Sequence, residues 1–262
     1  MNDMNIADFS ADFFSLKGKN AIVTGGNTGL GQAFTLALAK MGANVLAASI
    51  MPDDGTTGAL VEAAGSRFSY LESDITVAGN PKKIVDRCVD EFGSIDILIN
   101  CAGRGINEPD VLKFTRKQWD PMVALNLTAA FEMSHEVAQH MIPQRSGKII
   151  NICSVFSFLG GQWSPAYAAT KHGLAGLTKA YCDELAPFGA QVNGIAPGYY
   201  ATALTAETRA NPETNQRVMD HVPAGRWGQT QDLMGATVFL ASRASDYVNG
   251  HILSVDGGYL VR

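Results

Sequence analysis

The sequence predicts an α/β fold: a single domain built on a doubly wound parallel sheet of about seven strands, with helices on both faces. Three observations carry this. The short β-rich runs are solidly apolar rather than alternating, which is the signature of strands covered on both sides. Each is separated from the next by a stretch with helical spacing, as parallel pairing requires. The 262 residues, 46% apolar and 17% charged, suffice for one large core and contain no repeat, low-complexity tract or linker.

Taken in order, residues 19–24 (KNAIVT) read as the first strand, followed by a glycine-rich turn and a helix over 32–41 that stops at Gly42. Residues 44–48 form the second strand, and 68–72 the third, leading into Asp74. A helix over 81–91 precedes a continuous apolar fourth strand at 95–99. Residues 118–140 read as one long helix with Pro121 near its start, where proline is tolerated. The fifth strand, 148–152, leads through a Gly/Ser/Pro-rich loop to a helix from about 165 to 185. A sixth strand at 190–195 ends at Pro197-Gly198, residues 232–240 are helical, and 252–255 form the last strand. Residues 1–15 are expected to be an N-terminal arm and 16–262 the catalytic domain. Within it, about 199–222 reads as a long loop, the kind of connection that serves as a lid or binding loop.

Composition excludes several functions. A net charge of −5 without any Lys/Arg run argues against nucleic acid as a partner. No stretch of about 18 apolar residues is present, so no membrane span is expected, and the N-terminus lacks the pattern of a secretory signal. Cys88, Cys101, Cys153 and Cys182 are widely spaced with no C-x-x-C pair, which fits reduced thiols and a cytoplasmic location.

The turn after the first strand is Thr24-Gly25-Gly26-Asn27-Thr28-Gly29-Leu30-Gly31. A strand feeding such a turn and then a helix directs backbone N–H groups and the helix N-terminus at a pyrophosphate. Gly25, Gly29 and Gly31 supply the tight turn, the close backbone approach and the close helix packing of a Rossmann-type dinucleotide site. The second strand ends in Ser49-Ile50-Met51, neither acidic nor basic. No Lys or Arg lies between Ala43 and Ala64, whereas Asp53 and Asp54 do, so NAD is favoured over NADP. Asp74 reads equally well as an acceptor for the adenine amino group and as the cap of a turn into Ile75-Thr76. Asn100-Cys101-Ala102-Gly103 ends the fourth strand with small residues that let backbone press on the cofactor, while Asn100 can brace the sheet.

Tyr167 and Lys171 lie four apart on a predicted helix and therefore share a face. An ordinary phenol holds its proton too tightly to work at neutral pH, and a neighbouring ammonium favours the phenolate. Ser154, just beyond the fifth strand, can bond the substrate oxygen together with Tyr167, and Asn126 can hold a water that links Lys171 to solvent. His135 and His140, five apart, do not stack as ligands, so no catalytic metal is expected. Cys153 reads as a packed residue, and His172 points away from Lys171.

Together, the glycine turn, the NCAG run, Asn126, Ser154, Tyr167–Lys171 and Pro197-Gly198 resemble the short-chain dehydrogenase/reductase family along almost the whole chain. The resemblance implies hydride transfer to or from a nicotinamide cofactor, with Asn126, Ser154, Tyr167 and Lys171 catalytic. It places Gly25, Asn27, Thr28, Gly29, Leu30, Gly31, Ser49, Asp74, Ile75, Asn100, Ala102, Gly103, Pro197, Gly198 and Thr202 around the cofactor, with Ile195 on the nicotinamide's other flank. Cys101 departs from the family's commoner asparagine. The runs PAGRWG (223–228), ASDYVNG (244–250) and VDGG (255–258) are similar to the branch of 2-deoxygluconate 3-dehydrogenases, also described as 2-keto-3-deoxygluconate 5-dehydrogenases. That branch implies a small keto or hydroxy sugar acid as substrate, and the family implies a homotetramer, with the segment 257–262 packing on a neighbour. A carboxylate needs a cation and the hydroxyls need polar partners. Arg104, Gln162, Trp163 and Tyr199 are the candidates, with Arg209, Arg217 and His221 as competitors and Arg226 structural. Two other readings remain: a 3-oxoacyl-carrier-protein reductase, which the acidic chain and Asp183 and Glu184 disfavour, and a non-catalytic NAD-binding sensor.

Overall fold

The computed structural model describes residues 6–161 and 163–262. Seven strands, β1 (Asn20–Thr24), β2 (Asn44–Ser49), β3 (Phe68–Glu72), β4 (Ile97–Asn100), β5 (Gly147–Ile152), β6 (Ala190–Pro197) and β7 (Ile252–Val255), form one sheet. Their spatial order is β3-β2-β1-β4-β5-β6-β7, and every neighbouring pair is parallel. Nine α-helices are present among the described residues. They are α1 (Gly29–Lys40), α2 (Thr56–Ala63), α3 (Asn80–Phe92), α4 (Arg116–Val123), α5 (Ala129–Gln144), α6 (Pro165–Leu185), α7 (Ala206–Ala210), α8 (Pro212–His221) and α9 (Met234–Ala241).

The two-residue period of each strand divides its side chains between the two faces. Ala21 and Val23 of β1, with Ile97 and Ile99 of β4, join a core cluster that contains Phe34 and Leu38 of α1 and Leu240 of α9. The intervening Ile22 and Leu98 join the opposite cluster, with Ile84 of α3 and Met133, Val137 and Met141 of α5. The chain therefore leaves β1 toward one face and β4 toward the other. Where adjacent parallel strands part company in this way, a crevice opens at their carboxyl ends.

Three expectations need correction. The long helix expected over 118–140 runs from Arg116 to Gln144 and is not uniform: a single π turn, Ala124–Thr128, separates α4 from α5. The loop expected over 199–222 is largely helical. Asn211 caps α8 by accepting from the backbone N–H groups of Glu213 and Thr214, and Pro212 occupies the first turn, where its missing N–H costs nothing. The strand expected over 190–195 continues to Pro197, because β7 pairs with β6 up to Val255 beside Pro197. At the N-terminal side, residues 6–15 form short 3₁₀ turns, and Phe13 lies 4.2 Å beneath the Arg243 guanidinium.

Candidate active site

A cavity of about 860 Å³ opens at the carboxyl ends of β1, β4, β5 and β6. One side is made by the glycine turn and its helix. Gly25 lies at φ +66°, and a Cβ there would stand 3.4 Å from the Cα of Ala102. A Cβ on Gly31 would fall 2.0 Å from the Gly25 carbonyl oxygen, so α1 reaches the turn only because position 31 has no side chain. Thr28, at the N-cap of α1, makes no side-chain cap bond. The first N–H groups of α1 are thus left to an anion beside Thr28, Gly29 and Leu30 on the cavity wall. Thr24 ties this turn to β4: its hydroxyl oxygen accepts from the N–H groups of Cys101 and Ala102, both at 3.0 Å. A turn with Gly25 and Gly29 at positive φ, closed onto α1 by Gly31 and ending at an uncapped helix N-terminus, fits a dinucleotide pyrophosphate.

At the adenosine end, Ser49, Asp74 and Ile75 line the cavity. The Asp74 carboxylate accepts from the backbone N–H of Thr76 at 2.8 Å and from its hydroxyl at 2.7 Å, so the turn-capping use of Asp74 is realised while the residue stays on the wall. Two expected cofactor contacts are placed differently. Asn27 is buried off the wall and donates to the carbonyls of Met51 and Pro52. Asn100 donates to Asn151 Oδ1 at 2.9 Å, to Ser134 at 3.0 Å and to the Ala130 carbonyl. Asn27 thus braces the loop after β2, and Asn100 braces β4 against β5 and α5, the sheet-bracing use expected of it. Tyr70 of β3, not singled out from sequence, donates its hydroxyl to the carbonyls of Ser49 and Met51 and so shares the Met51 carbonyl with Asn27. Only the pairing of β2 with β3 makes that visible.

On the reaction side, Ser154, Tyr167 and Lys171 face one cavity with the glycine turn. Lys171 Nζ lies 5.6 Å from the Tyr167 ring centroid and donates to the Ile152 carbonyl at 2.7 Å. Ser154 Oγ accepts from the Phe156 N–H at 3.2 Å, which leaves the hydroxyl hydrogen to point elsewhere. Phe156 in turn meets Tyr167 edge-on, with ring centroids 6.1 Å apart.

Asn126 sits in the π turn, 1% exposed, and does not reach the wall. Its Oδ1 accepts from the Arg104 N–H at 2.9 Å, and its Nδ2 donates to the Arg104 carbonyl at 2.9 Å and to Thr170 Oγ1 at 3.3 Å. Thr170 donates to the Tyr167 carbonyl. Asn126 therefore ties the strand-end loop to the helix of Tyr167. Cys101, on the wall, has its thiol pushed up to about 12 by burial, against the opposing pull of Lys171.

The substrate end is partly as expected. Arg104 and Tyr199 line the cavity. Tyr199 packs against Trp227, Tyr259 and Phe156, and burial, with Tyr259 next, raises its phenol above the ordinary value. Trp163 is off the wall in a left-handed backbone conformation (φ +64°), with the Arg217 guanidinium 4.9 Å over its ring. Gln162 lies outside the described residues. Pro197, Gly198 and Thr202 are on the wall, whereas Ile195 is fully buried in the core because β6 turns it to the α1 face. Arg209 donates to the Thr202 carbonyl, and His221 lies against Tyr259. Arg226 is held by the Asp232 carboxylate through two bonds. Among the described residues no cluster of three His, Cys, Asp or Glu side chains is placed to hold a metal, and no helix is long and apolar enough to cross a membrane.

A doubly wound sheet whose crevice combines an anion-binding glycine turn with a phenol, an ammonium and a serine defines a dinucleotide-dependent oxidoreductase. The chain belongs to the short-chain dehydrogenase/reductase family and is an NAD(P)-dependent oxidoreductase acting on CH–OH groups; a family model described as enoyl-(acyl carrier protein) reductase matches residues 25–260. An Escherichia coli protein named uncharacterized oxidoreductase YgcW is 66% identical, with 97% of each chain covered. The 2-dehydro-3-deoxy-D-gluconate 5-dehydrogenase of Escherichia coli is 47% identical over 95% of this chain and 98% of its own. Among solved structures, a gluconate 5-dehydrogenase from Burkholderia cenocepacia in complex with NADP and tartrate is 36% identical, with a TM-score of 0.89 over 96% of this chain and 98% of that one.

Proposed function

We propose that this protein interconverts a hydroxyl and a ketone on a small sugar acid of the 2-keto-3-deoxygluconate, 2-deoxygluconate or 4-deoxy-5-keto-uronate type. The observation that carries this is the convergence of Tyr167, Lys171, Ser154 and Arg104 on the cavity that also holds the glycine turn. The activities named for the relatives point to the same substrate class.

A bound nicotinamide supplies or takes up the hydride. In the direction of reduction, Tyr167 donates its proton to the carbonyl oxygen as the carbon gains hydride, and in oxidation it takes the proton back. Ser154 donates its hydroxyl hydrogen to the same oxygen, since the Phe156 N–H already occupies one of its lone pairs. The Lys171 ammonium stabilises negative charge developing on the phenol oxygen and holds the cofactor ribose. Asn126 acts through the Arg104 backbone and Thr170, keeping loop and helix in register. Arg104 takes the substrate carboxylate at the cavity mouth, Tyr199 forms the opposite wall, and residues 203–221 close over the substrate as a lid on the catalytic domain, 16–262.

For the cofactor we favour NAD. No Lys or Arg lies between Ala43 and Ala64 in the sequence, and among the described residues the cations lining the cavity are Arg104 and Lys171, whereas a 2′-phosphate beside Ser49 would need one and Asp53 lies just beyond. The NADP of the solved relative belongs to that protein. We also propose a cytoplasmic homotetramer packed through α5 and α6, where Phe131 is 45% exposed beside Tyr181; sedimentation as a monomer at micromolar concentration would remove this element.

The description of the matching family model favours a second reading, reduction of an acyl-carrier substrate. Asp183 and Glu184 on α6 and the net charge of −5 oppose an acidic carrier. Steady-state rates over a panel of keto-deoxy sugar acids and an acetoacetyl thioester, each with both nicotinamide cofactors, test all of this. Turnover of the sugar acids with NAD is expected; turnover confined to the thioester would overturn the assignment.

A further inference from the structure

We infer that Ser157 is a positioning residue of the reaction centre, its hydroxyl fixing the loop of Ser154 against the helix that carries Tyr167 and Lys171. This rests on the roles proposed above for those three residues.

Ser157 is only 6% exposed, and its hydroxyl stands between two backbone groups from separate elements. Its oxygen accepts from the Ser154 N–H at 3.2 Å, and its hydrogen is donated to the Lys171 carbonyl at 2.8 Å, fourteen residues away in sequence. The loop is closed on itself as well: the Ser157 N–H donates to the Ser154 carbonyl at 2.8 Å, and Ser154 Oγ accepts from the Phe156 N–H. One hydroxyl thus sets where Ser154 Oγ lies relative to a phenol on the next element.

Removing that hydroxyl leaves most of the fold alone. The Lys171 carbonyl keeps its place in the α6 ladder, and the loop keeps its own turn bonds. What is lost is the tie between the two. A capping serine with no further role would affect stability and nothing else. A positioning serine affects the rate of the chemical step while substrate and cofactor affinity hold, because misplacing a reacting group lowers kcat without removing ground-state contacts.

The test compares wild type with Ser157→Ala, Ser157→Thr and Tyr167→Phe, using 2-dehydro-3-deoxy-D-gluconate and NAD(H), with NADH affinity read separately by fluorescence titration. For Ser157→Ala the expected result is a kcat lower by about 10- to 100-fold, with KM and NADH affinity changed by less than about threefold. Ser157→Thr, which keeps the hydroxyl, is expected to recover most of that loss. Should the alanine variant not fold, Ser157→Cys is read by the same criteria, since a thiol nearly matches the volume and bonds weakly. Hydrogen exchange on the protein alone gives a reading independent of turnover: Ser157→Ala is expected to speed amide exchange at 154–157 by about tenfold or more, with α6 unchanged. A kcat within twofold of wild type, or parallel losses of kcat, NADH affinity and stability, would overturn the inference. Undiminished turnover by Tyr167→Phe would instead overturn the catalytic reading beneath it.

Discussion

The two halves of the crevice are built from different materials. The cofactor side is main chain and small residues: Gly25, Gly29 and Gly31 against Ala102 and Gly103, with β1 and β4 fully buried behind them. The side proposed for the substrate is side chain. Phe156 and Tyr199 face the cavity, Trp227 and Tyr259 pack against Tyr199 from two further segments, and the nearby helices α7 and α8 are mostly exposed. A site made of backbone tolerates almost no change of residue type, whereas a wall of interlocking rings can be recut by single substitutions without moving the sheet. That is how one fold serves many substrates with one cofactor.

The sharpest test lies at the junction. Tyr167→Phe is expected to lower kcat by about 10³-fold, with NADH affinity intact, as measured by steady-state rates beside fluorescence titration. On the cofactor side, Gly31→Ala forces a methyl group onto the Gly25 carbonyl. Urea unfolding should show a loss of about 3 kcal/mol or more, and NADH binding should fall below detection. On the substrate side, Arg104→Ala is expected to raise KM for a sugar acid by about 10- to 100-fold while leaving a neutral hydroxyketone of similar size unaffected. An equal loss for both substrates would dissolve the contrast between the halves.

A smaller effect concerns the thiols. Burial holds Cys88 and Cys101 at about 12, so at pH 8 only on the order of one molecule in 10⁴ carries either thiolate. Iodoacetamide at that pH is expected to leave both unmodified and activity unchanged, as peptide mass spectrometry would show. The smallest effect is at the Arg226–Asp232 ion pair. The Arg226 guanidinium and the Gln229 N–H hold the Asp232 carboxyl below its ordinary value of 3.8. The charged form is thus favoured in the folded state. Relative to Asp232→Asn, the wild type should gain a degree or so in Tm above about pH 4 and lose that advantage as pH falls through the depressed value.

The same contrast governs what could be read from sequence. The strands were legible because burial on both faces demands unbroken apolar runs, and the glycine turn because only glycine fits at position 31. Tyr167 and Lys171 were legible because helical spacing puts them on one face and the glycine turn, NCAG, Ser154 and Pro197-Gly198 accompany them in order. Asn100 braces the sheet as its place at the end of β4 suggested, but Asn27 and Asn126 turn their side chains to backbone, since which way an amide points depends on strands and helices distant in sequence. Ile195 went to the core by strand parity, and Trp163 left the wall through a left-handed backbone that no local pattern announces. The helices within 199–222 did carry a signal, Asn211-Pro212 at the head of α8, hidden within a segment otherwise polar and irregular.

The π turn at Ala124–Thr128 has one further consequence. Such a turn is a helix with one residue more than its ladder needs. The sequences on either side of it are therefore out of phase by about 100°. Deleting a single residue there would yield a smoother, better-bonded rod, yet it would swing Met122 out of the interior or turn Met133 and Val137 away from the sheet. The chain keeps a local irregularity so that two otherwise incompatible faces can both be inward, and any engineered shortening of this rod should proceed by whole turns rather than by one position.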